Sequence, residues 1–366
     1  MDLLHNLNPA QRDAVSAPPG PLLVVAGPGS GKTRVLTHRI AYLIQDMGVS
    51  PWHIMAVSFT NNAAREMEHR IEQLLDGRPQ GLHMGTFHAI CARLLRREAD
   101  NLTHYQRDFV IFDTADQLQV VKSALAELRL DDKKFPPAKM LNGISTAKND
   151  LITPEAYQAT NYIGEITRRV YEYYQLALQT NNAMDFDDLL MQAVLLFDER
   201  PDVLQKYQRR YHHILVDEFQ DTNATQYRLL QQLAGDDNSI FAVGDSDQSI
   251  YKWRGADYRN VQNFYRDYPT ARTIMLEQNY RSTQVILDAA IGVIQRNADH
   301  MPKKLFTERK GGAKLIVREA YNETDEANAV VDTIQDLMLQ GYSGNACAAM
   351  YRTNAQSRAL EEAFIG

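Results

Sequence analysis

Residues 26–33 combine three glycines, a lysine and a threonine in a spacing that suits phosphate chemistry. Glycines let backbone N–H groups point at phosphate oxygens, and the N-terminus of a following helix adds partial positive charge. We predict that Lys32 contacts the β- and γ-phosphates of ATP and that the Thr33 hydroxyl binds Mg²⁺. The residues expected to bind nucleotide in this P-loop are Ala26, Gly27, Pro28, Gly29, Ser30, Gly31, Lys32, Thr33 and Arg34. Ala26 stands where this pattern usually begins with glycine, which is tolerated if its φ is negative.

A second chemical feature is a pair of adjacent carboxylates, Asp217 and Glu218, at the end of the apolar run 214–216. Carboxylate oxygens are ligands that Mg²⁺ prefers, so Asp217 is expected to hold the ion, mostly through water. Glu218 is expected to polarise the attacking water as general base. Gln248, which follows another apolar run, is placed to sense the γ-phosphate.

Polar and aromatic residues also follow several of the apolar runs. Single-stranded nucleic acid is bound by stacking on aromatic rings together with contacts to phosphates. The candidate DNA-binding residues are Phe59, Thr60, Asn61, Thr86, Phe87, His88, Tyr251, Trp253 and Arg254. Core packing is the alternative interpretation of the aromatic residues among them.

Apolar strand patterns alternate with helix patterns along the chain, which predicts an α/β fold. In the sheets of such folds, ligands bind at the carboxyl ends of the strands, and these side chains are expected to lie there. A short helix over 7–15, with Asn8 as N-cap, precedes the P-loop strand, and Gln11 on it has the donor and acceptor needed to read an adenine edge. Helix signals dominate from 89 to 204, which predicts a helical insertion. Its lysines form either a solvated face or a contact with a duplex backbone; they are Lys133, Lys134, Lys139 and Lys148.

A second α/β domain is predicted to begin after the strand at 273–282. Its expected elements are helices over 284–296 and 323–339, strands over 313–317 and 346–350, and a helix from about 354. The length of 366 residues suits more than one domain.

Composition places few limits on function. The net charge of −7 argues against a uniformly basic protein but permits a local basic groove. The two cysteines, Cys91 and Cys347, lack metal-site spacing and suit a reducing compartment. Residues 1–20 do not have the pattern of a signal peptide, and no apolar run approaches a membrane span. A soluble cytoplasmic protein without a membrane partner is therefore expected.

Taken together, these segments resemble superfamily 1A DNA helicases of the UvrD/Rep/PcrA type. They occur in the family's order and cover nearly the whole chain. The matching segments are 7–15, 26–35, 59–67, 85–90, 185–190, 214–223, 243–255, 276–282 and 351–364.

The resemblance implies a RecA-like P-loop NTPase domain (1–88 and 205–281), a helical insertion (89–204) and the beginning of a second RecA-like domain (282–366). It also implies that Gln11 recognises adenine, that Tyr280 stacks on it, and that Arg281 acts as an arginine finger. Gln248 would couple ATP chemistry to DNA. The implied activity is ATP-dependent movement from 3′ to 5′ on single-stranded DNA, in DNA repair or replication restart.

The resemblance also implies partners, namely single-stranded DNA, single-strand/duplex junctions, and repair or replication proteins. Asn62 stands where the family often has lysine, which puts one phosphate contact in doubt. Later family motifs are missing, so the chain is expected to be the N-terminal portion of a longer helicase whose C-terminal part completes it. Two alternatives remain open: a fragment that binds ATP and DNA without productive turnover, and the motor of a helicase–nuclease complex. A P-loop kinase is disfavoured by the segments around Trp253 and Tyr280.

Overall fold

The protein is described here by a computed structural model that covers residues 2–236, 238–250, 255–257, 259–297 and 301–365. Its internal contacts divide the chain into two compact units, residues 1–310 and 311–366. The three-part division inferred from the sequence stays a prediction. None of the helices in these described ranges is both long and apolar enough to cross a bilayer.

The first unit begins with alternating strands and helices, continues through a mainly helical stretch, and returns to alternation. The first stretch contains α1 (Pro9–Ser16), β1 (Leu22–Ala26), α2 (Lys32–Gln45), β2 (Ile54–Ser58), α3 (Asn61–Leu74), β3 (His83–Thr86) and α4 (Phe87–Arg97). The helical stretch contains β4 (Val110–Ile111), α5 (Thr114–Glu127), α6 (Pro137–Asn149), α7 (Tyr162–Thr180), β5 (Ala183–Met184), α8 (Phe186–Glu199) and α9 (Pro201–Arg210). The last stretch contains β6 (His213–Val216), α10 (Ala224–Ala234), β7 (Ser239–Gly244), α11 (Asn260–Asp267), β8 (Arg272–Leu276), β9 (Gln278–Asn279), α12 (Gln284–Ile294) and β10 (Phe306–Thr307).

Six parallel strands form one sheet in the order β3-β2-β6-β7-β1-β8. β1 lies between β7 and β8, and Val24 is paired with Val243 on one side and Ile274 on the other. All five residues of β1 are buried, as expected for a parallel strand covered by helices on both faces. Leu23 and Val25 belong to the core on one face, and Leu22, Val24 and Ala26 to the core on the other. The predicted α/β fold with a parallel sheet is confirmed.

The helical stretch has a core of its own, built from α5, α6 and α7, with Val121, Ile144 and Val170 fully buried. Three of its lysines, Lys133, Lys134 and Lys139, are exposed, in keeping with a solvated face.

Lys148 behaves differently from the other three lysines. Its side chain is fully buried, and its Nζ lies 2.7 Å from Asp185 and 2.9 Å from Asp188. Burial alone would lower the pKa of Lys148, but the two carboxylates outweigh it and raise the pKa above its usual value. Lys148 is therefore a structural ion-pair partner, and its assignment to either a solvated face or a duplex contact is wrong.

In the second unit the described residues contain α13 (Glu323–Leu339) and α14 (Ser357–Ile365). The strands predicted at 313–317 and 346–350 are wrong, because both segments are irregular apart from a short helical turn at Gly344–Ala346. Val317 is 96% exposed. A strand needs a neighbour to take up its backbone hydrogen bonds, and no other strand lies in the described part of 311–365.

Candidate active site and adjoining groove

The P-loop adopts a conformation that depends on its glycines. Gly29 has φ of 63° and Gly31 has φ of 89°, values at which a side chain would be strained. The Ser30 hydroxyl donates to the Gly27 carbonyl at 2.7 Å, which closes the turn. Helix α2 begins at Lys32, so its first N–H groups face the space above the loop. Ala26 ends strand β1 with extended backbone, which explains why a residue other than glycine is tolerated there.

Gln11 supports the P-loop from the side of α1. Its side chain is 1% exposed, and its Nε2 donates to the Ser30 carbonyl at 2.9 Å. Its Oε1 accepts from the Asn8 N–H at 3.1 Å, within the predicted cap of α1. Each end of the amide thus makes one hydrogen bond within the protein, and these two bonds leave the second N–H and the second oxygen lone pair unused. Its role with adenine stays a prediction.

The segment after β8 supports the loop from the other side. Asn279 donates from Nδ2 to the Pro28 carbonyl at 2.5 Å and accepts from the Arg281 N–H at 2.8 Å. The Tyr280 N–H donates to the Gly29 carbonyl at 2.9 Å. Tyr280 is 46% exposed and its hydroxyl accepts from Asn8 Nδ2, so an exposed ring lies beside α1 and the P-loop. Arg281 is exposed, and a Cβ atom built on Gly29 would lie 2.8 Å from the Arg281 Cβ atom, so the two residues are in close contact.

Three side chains predicted for ATP chemistry meet at the end of the P-loop. Lys32 Nζ lies 2.7 Å from Glu218 Oε2 and donates to Gln248 Oε1 at 3.4 Å. Strand β6 ends at Val216 and is followed by Asp217 and then Glu218. Glu218 has φ of 48°, an uncommon value for a residue other than glycine. Such backbone strain occurs often at functional sites, and here it turns the carboxylate toward Lys32.

Asp217 is the buried member of the acidic pair, at 4% exposure. Burial, together with the nearby Glu218 carboxylate, raises the pKa of Asp217 to about 6. This set of oxygen donors fits Mg²⁺, because a divalent cation would offset both the burial and the repulsion between the carboxylates. The Thr33 hydroxyl, in the first turn of α2, is the other candidate ligand from the protein.

Lys303, which was not predicted from the sequence, belongs to the same site. Its side chain is 2% exposed, and its Nζ pairs with Asp245 and, at 2.7 Å, with Asp247. Gln248 donates to the other oxygen of Asp245 at 2.6 Å, so Lys303 is linked through Asp245 to the predicted γ-phosphate sensor. Burial alternates along 301–307, with Lys303 at an inward position between Met301 and Leu305. The residue types do not follow this alternation, because Phe306 is exposed and Lys303 is charged, so the sequence carried no signal of it.

A groove of about 750 Å³ adjoins this site. It is lined by ends of the first-unit elements and by one face of α6, and its lining includes Phe59, His88, Asn142, Ser145, Asn149, Asp187, Asp221 and Asn223. The His88 ring packs edge-on against the Phe186 ring, with 6.0 Å between the ring centroids. Burial lowers the pKa of His88, which favours its neutral form. The contribution of α6 was missed from the sequence.

The remaining DNA-site candidates have different environments. Phe87 is 4% exposed, and most of its side chain packs in the core, as the alternative interpretation from the sequence predicted. Thr60 and Thr86 cap α3 and α4 through their hydroxyl groups, and Asn61 is exposed in the first turn of α3. The predictions for Tyr251, Trp253 and Arg254 lie outside the described residues.

Comparison with known proteins agrees with these features. Residues 7–269 match the UvrD/REP helicase N-terminal domain, and residues 274–366 match the UvrD-like helicase C-terminal domain. The chain is 48% identical over 365 residues to the ATP-dependent DNA helicase PcrA of Staphylococcus aureus Mu50, covering 99% of this chain and 50% of that protein. It is 49% identical over 366 residues to PcrA of Bacillus subtilis 168, covering 99% of this chain and 49% of the relative.

The chain thus spans about half the length of the curated relatives that it matches. Domains of this family are RecA-like, which agrees with the parallel sheet and with the P-loop at the end of β1. The matches cover the segment with the P-loop and the acidic pair as well as the segment after β8. The chain belongs to the UvrD/REP helicase family.

Proposed function

We propose that this chain is the ATP- and DNA-binding part of an ATP-dependent DNA helicase that moves 3′ to 5′ on single-stranded DNA. The observation that carries the proposal is the meeting of Lys32, Glu218 and Gln248 at the P-loop, within the unit that also contains the groove. The name of the curated relatives, ATP-dependent DNA helicase, supports it. Repair or replication restart, in the cytoplasm, is the proposed setting.

ATP would bind with its phosphates on the P-loop, and Mg²⁺ would be held by Thr33 and Asp217. When bound, the ion offsets negative charge on the phosphates. Lys32 now neutralises Glu218 at 2.7 Å. Binding of phosphate by Lys32 would release that carboxylate, which could then accept a proton from the attacking water. In this proposal the ion pair keeps the base unavailable until nucleotide arrives.

The groove is the proposed site of single-stranded DNA. Phe59 and His88 offer rings, and stacking of a base on such a ring contributes about 1–3 kcal/mol without sequence preference. Asn142, Ser145 and Asn149 of α6, which also line the groove, would supply polar contacts. The helical stretch would therefore contribute one part of the single-strand site.

A second candidate function is a part that binds ATP and DNA without productive turnover. One observation favours it: Arg281 is exposed, and Arg309 contacts the Arg281 backbone carbonyl at the edge of the first unit. An arginine finger contributes on the order of 10³–10⁵ in rate, and misplacement by about 1 Å can remove 10²-fold. Hydrolysis by residues 1–366 is therefore expected to be slow compared with that of a longer chain.

The test replaces Glu218, the proposed general base, by glutamine. Glu218→Gln should leave binding of a fluorescent ATP analogue within about threefold of wild type and remove DNA-stimulated hydrolysis, measured on the chain and on an extended version. Glu172→Gln is a matched control, because Glu172 is an exposed residue of α7 that pairs with Arg168. Hydrolysis by Glu218→Gln at the wild-type rate would refute the assignment of the base, and failure of the wild type to bind nucleotide would refute the proposed function.

A further inference from the structure

Gln220 occupies a position between three functional groups. It lies in the short turn after Glu218 and is 1% exposed. Its Nε2 donates to Glu218 Oε2 at 2.9 Å and to Asp221 Oδ2 at 3.3 Å. Its Oε1 accepts from the Asp245 N–H at 2.9 Å. One amide group therefore contacts the proposed base, a carboxylate of the groove and the backbone of the loop that carries Gln248.

The orientation of this amide is fixed by its surroundings. Gly244 ends β7 directly beside it, and a Cβ atom on Gly244 would lie 2.7 Å from Gln220 Oε1. The close approach therefore requires glycine at 244. A flipped amide would place its NH₂ group against the Asp245 N–H, which is a donor as well. Gln220 thus has a single favourable orientation, and its nitrogen must face the two carboxylates.

Asp221 lines the groove, and one of its carboxylate oxygens is buried without a hydrogen-bond partner among the described residues. The residue is 6% exposed, and the oxygen in question is Oδ1. A buried acceptor without a partner is unfavourable, because the loss of its hydration is not compensated. Burial, with Glu218 nearby, also raises the pKa of Asp221 to about 7. A hydrogen-bond donor in the groove would relieve this situation.

We propose that Gln220 is a positioning residue that couples occupancy of the groove by single-stranded DNA to the orientation of Glu218. The proposal rests on the proposed function, with ATP at the P-loop and DNA in the groove. A single strand in the groove would contact Asp221, and a donor on it, such as the exocyclic amine of a base, would turn the carboxylate toward the strand so that Oδ1 gains a partner. Because one nitrogen of Gln220 serves both carboxylates, a displacement of Asp221 shifts the hydrogen bond to Glu218.

A merely structural role for Gln220 predicts a different result from a coupling role. A structural glutamine would change stability, or both affinities together, when it is replaced. A coupling residue changes the factor by which one ligand alters the affinity for the other, and this factor must be the same in both directions. Measurement of that factor separates the two roles and does not depend on turnover.

The experiment measures the affinity of the chain for a fluorescent, non-hydrolysable ATP analogue with Mg²⁺, with and without a saturating 20-nucleotide single strand of mixed sequence. The reciprocal titration measures DNA affinity with and without the analogue. Wild type is expected to show at least a fivefold coupling factor, the lower end of typical values. Gln220→Leu should bring the factor within twofold of one, while each affinity measured alone changes less than about threefold.

Gln232→Leu is the matched control, since Gln232 is also a buried glutamine, 7% exposed, but contacts Val194 and Asp198 away from the site. It should keep the wild-type factor. If Gln220→Leu does not fold, Asp221→Asn serves as the second variant: it keeps the shape of the side chain but weakens the acceptor, and it should also lower the factor.

Each outcome decides the proposal. The coupling role is overturned if folded Gln220→Leu keeps the wild-type coupling factor. The same holds for Asp221→Asn if that variant is tested instead. The proposed function would still stand in both cases. A wild-type factor of one, with both ligands bound, would overturn the coupling role in the same way. Failure of the wild type to bind either ligand would refute the proposed function, and the coupling role with it.

Discussion

Replacing Lys303 by methionine would leave two carboxylates without the cation that lies between them. Asp245 is fully buried and Asp247 is 13% exposed at the side chain. Removal of one partner from a buried ion pair costs about 3–5 kcal/mol, because the other charge remains buried. Asp245 retains hydrogen bonds from Gln248 Nε2 and from the Asp247 N–H, so the lower end applies, about 3 kcal/mol.

Thermal unfolding without nucleotide, followed by circular dichroism, measures this loss. A change of 1 kcal/mol shifts Tm by about 2 °C in a unit of this size, so Lys303→Met should lower Tm by about 6 °C. The neighbouring residue offers a control: the Lys304 side chain is exposed, and its contact with Glu277 is made by the backbone N–H. Lys304→Met should therefore change stability by less than about 0.5 kcal/mol.

The double variant Lys303→Met with Asp247→Asn removes one of the two unpaired charges and should recover part of the stability. Equal Tm values for Lys303→Met and Lys304→Met would refute the buried ion pair. A double variant less stable than Lys303→Met alone would contradict the electrostatic explanation of the loss.

Two further predictions concern pH and DNA. Burial lowers the pKa of His213 to about 4 in the folded protein, against 6.5 when unfolded, so its contribution to stability is complete above pH 6.5 and is lost as the pH falls toward 4. The stability of wild type minus that of His213→Gln, measured by urea unfolding, should therefore decrease between pH 6.5 and 4; a constant difference would show that His213 does not titrate in this way. Trp253→Ala, a prediction from sequence alone, should weaken binding of single-stranded DNA by about 1–3 kcal/mol with an unchanged salt slope. Unchanged affinity in the folded variant would assign Trp253 to packing.

The sequence was most informative where function depends on neighbours along the chain. The P-loop, the capped helix before it and the acidic pair after β6 are local patterns, and each lies at its predicted place in the fold. Glycine at 29 and 31 could be interpreted directly, because positive φ limits those positions to very few residue types.

The sequence was least informative where a residue's role is set by distant partners. Lys148 has the same local appearance as Lys139, but it is buried against Asp185, the residue that caps α8. Lys303 depends similarly on Asp245, a contact that links β7 to the segment before β10. The apolar run at 313–317 met the local criterion for a strand, yet pairing in a sheet requires a partner that local pattern does not supply.

The central place of β1 in the sheet bears on how the protein is made. β1 carries the P-loop, yet its two neighbours, β7 and β8, are encoded more than 200 residues later. A ribosome adds the roughly 250 residues between β1 and β8 in about 10 to 50 seconds at usual rates. Throughout that interval β1 lacks the two strands that flank it in the folded sheet, whereas β2 and β3 can pair early because they are close in sequence. The nascent chain therefore exposes its most apolar strand for longest, which makes this stage of synthesis the one at which a holdase chaperone would be most useful.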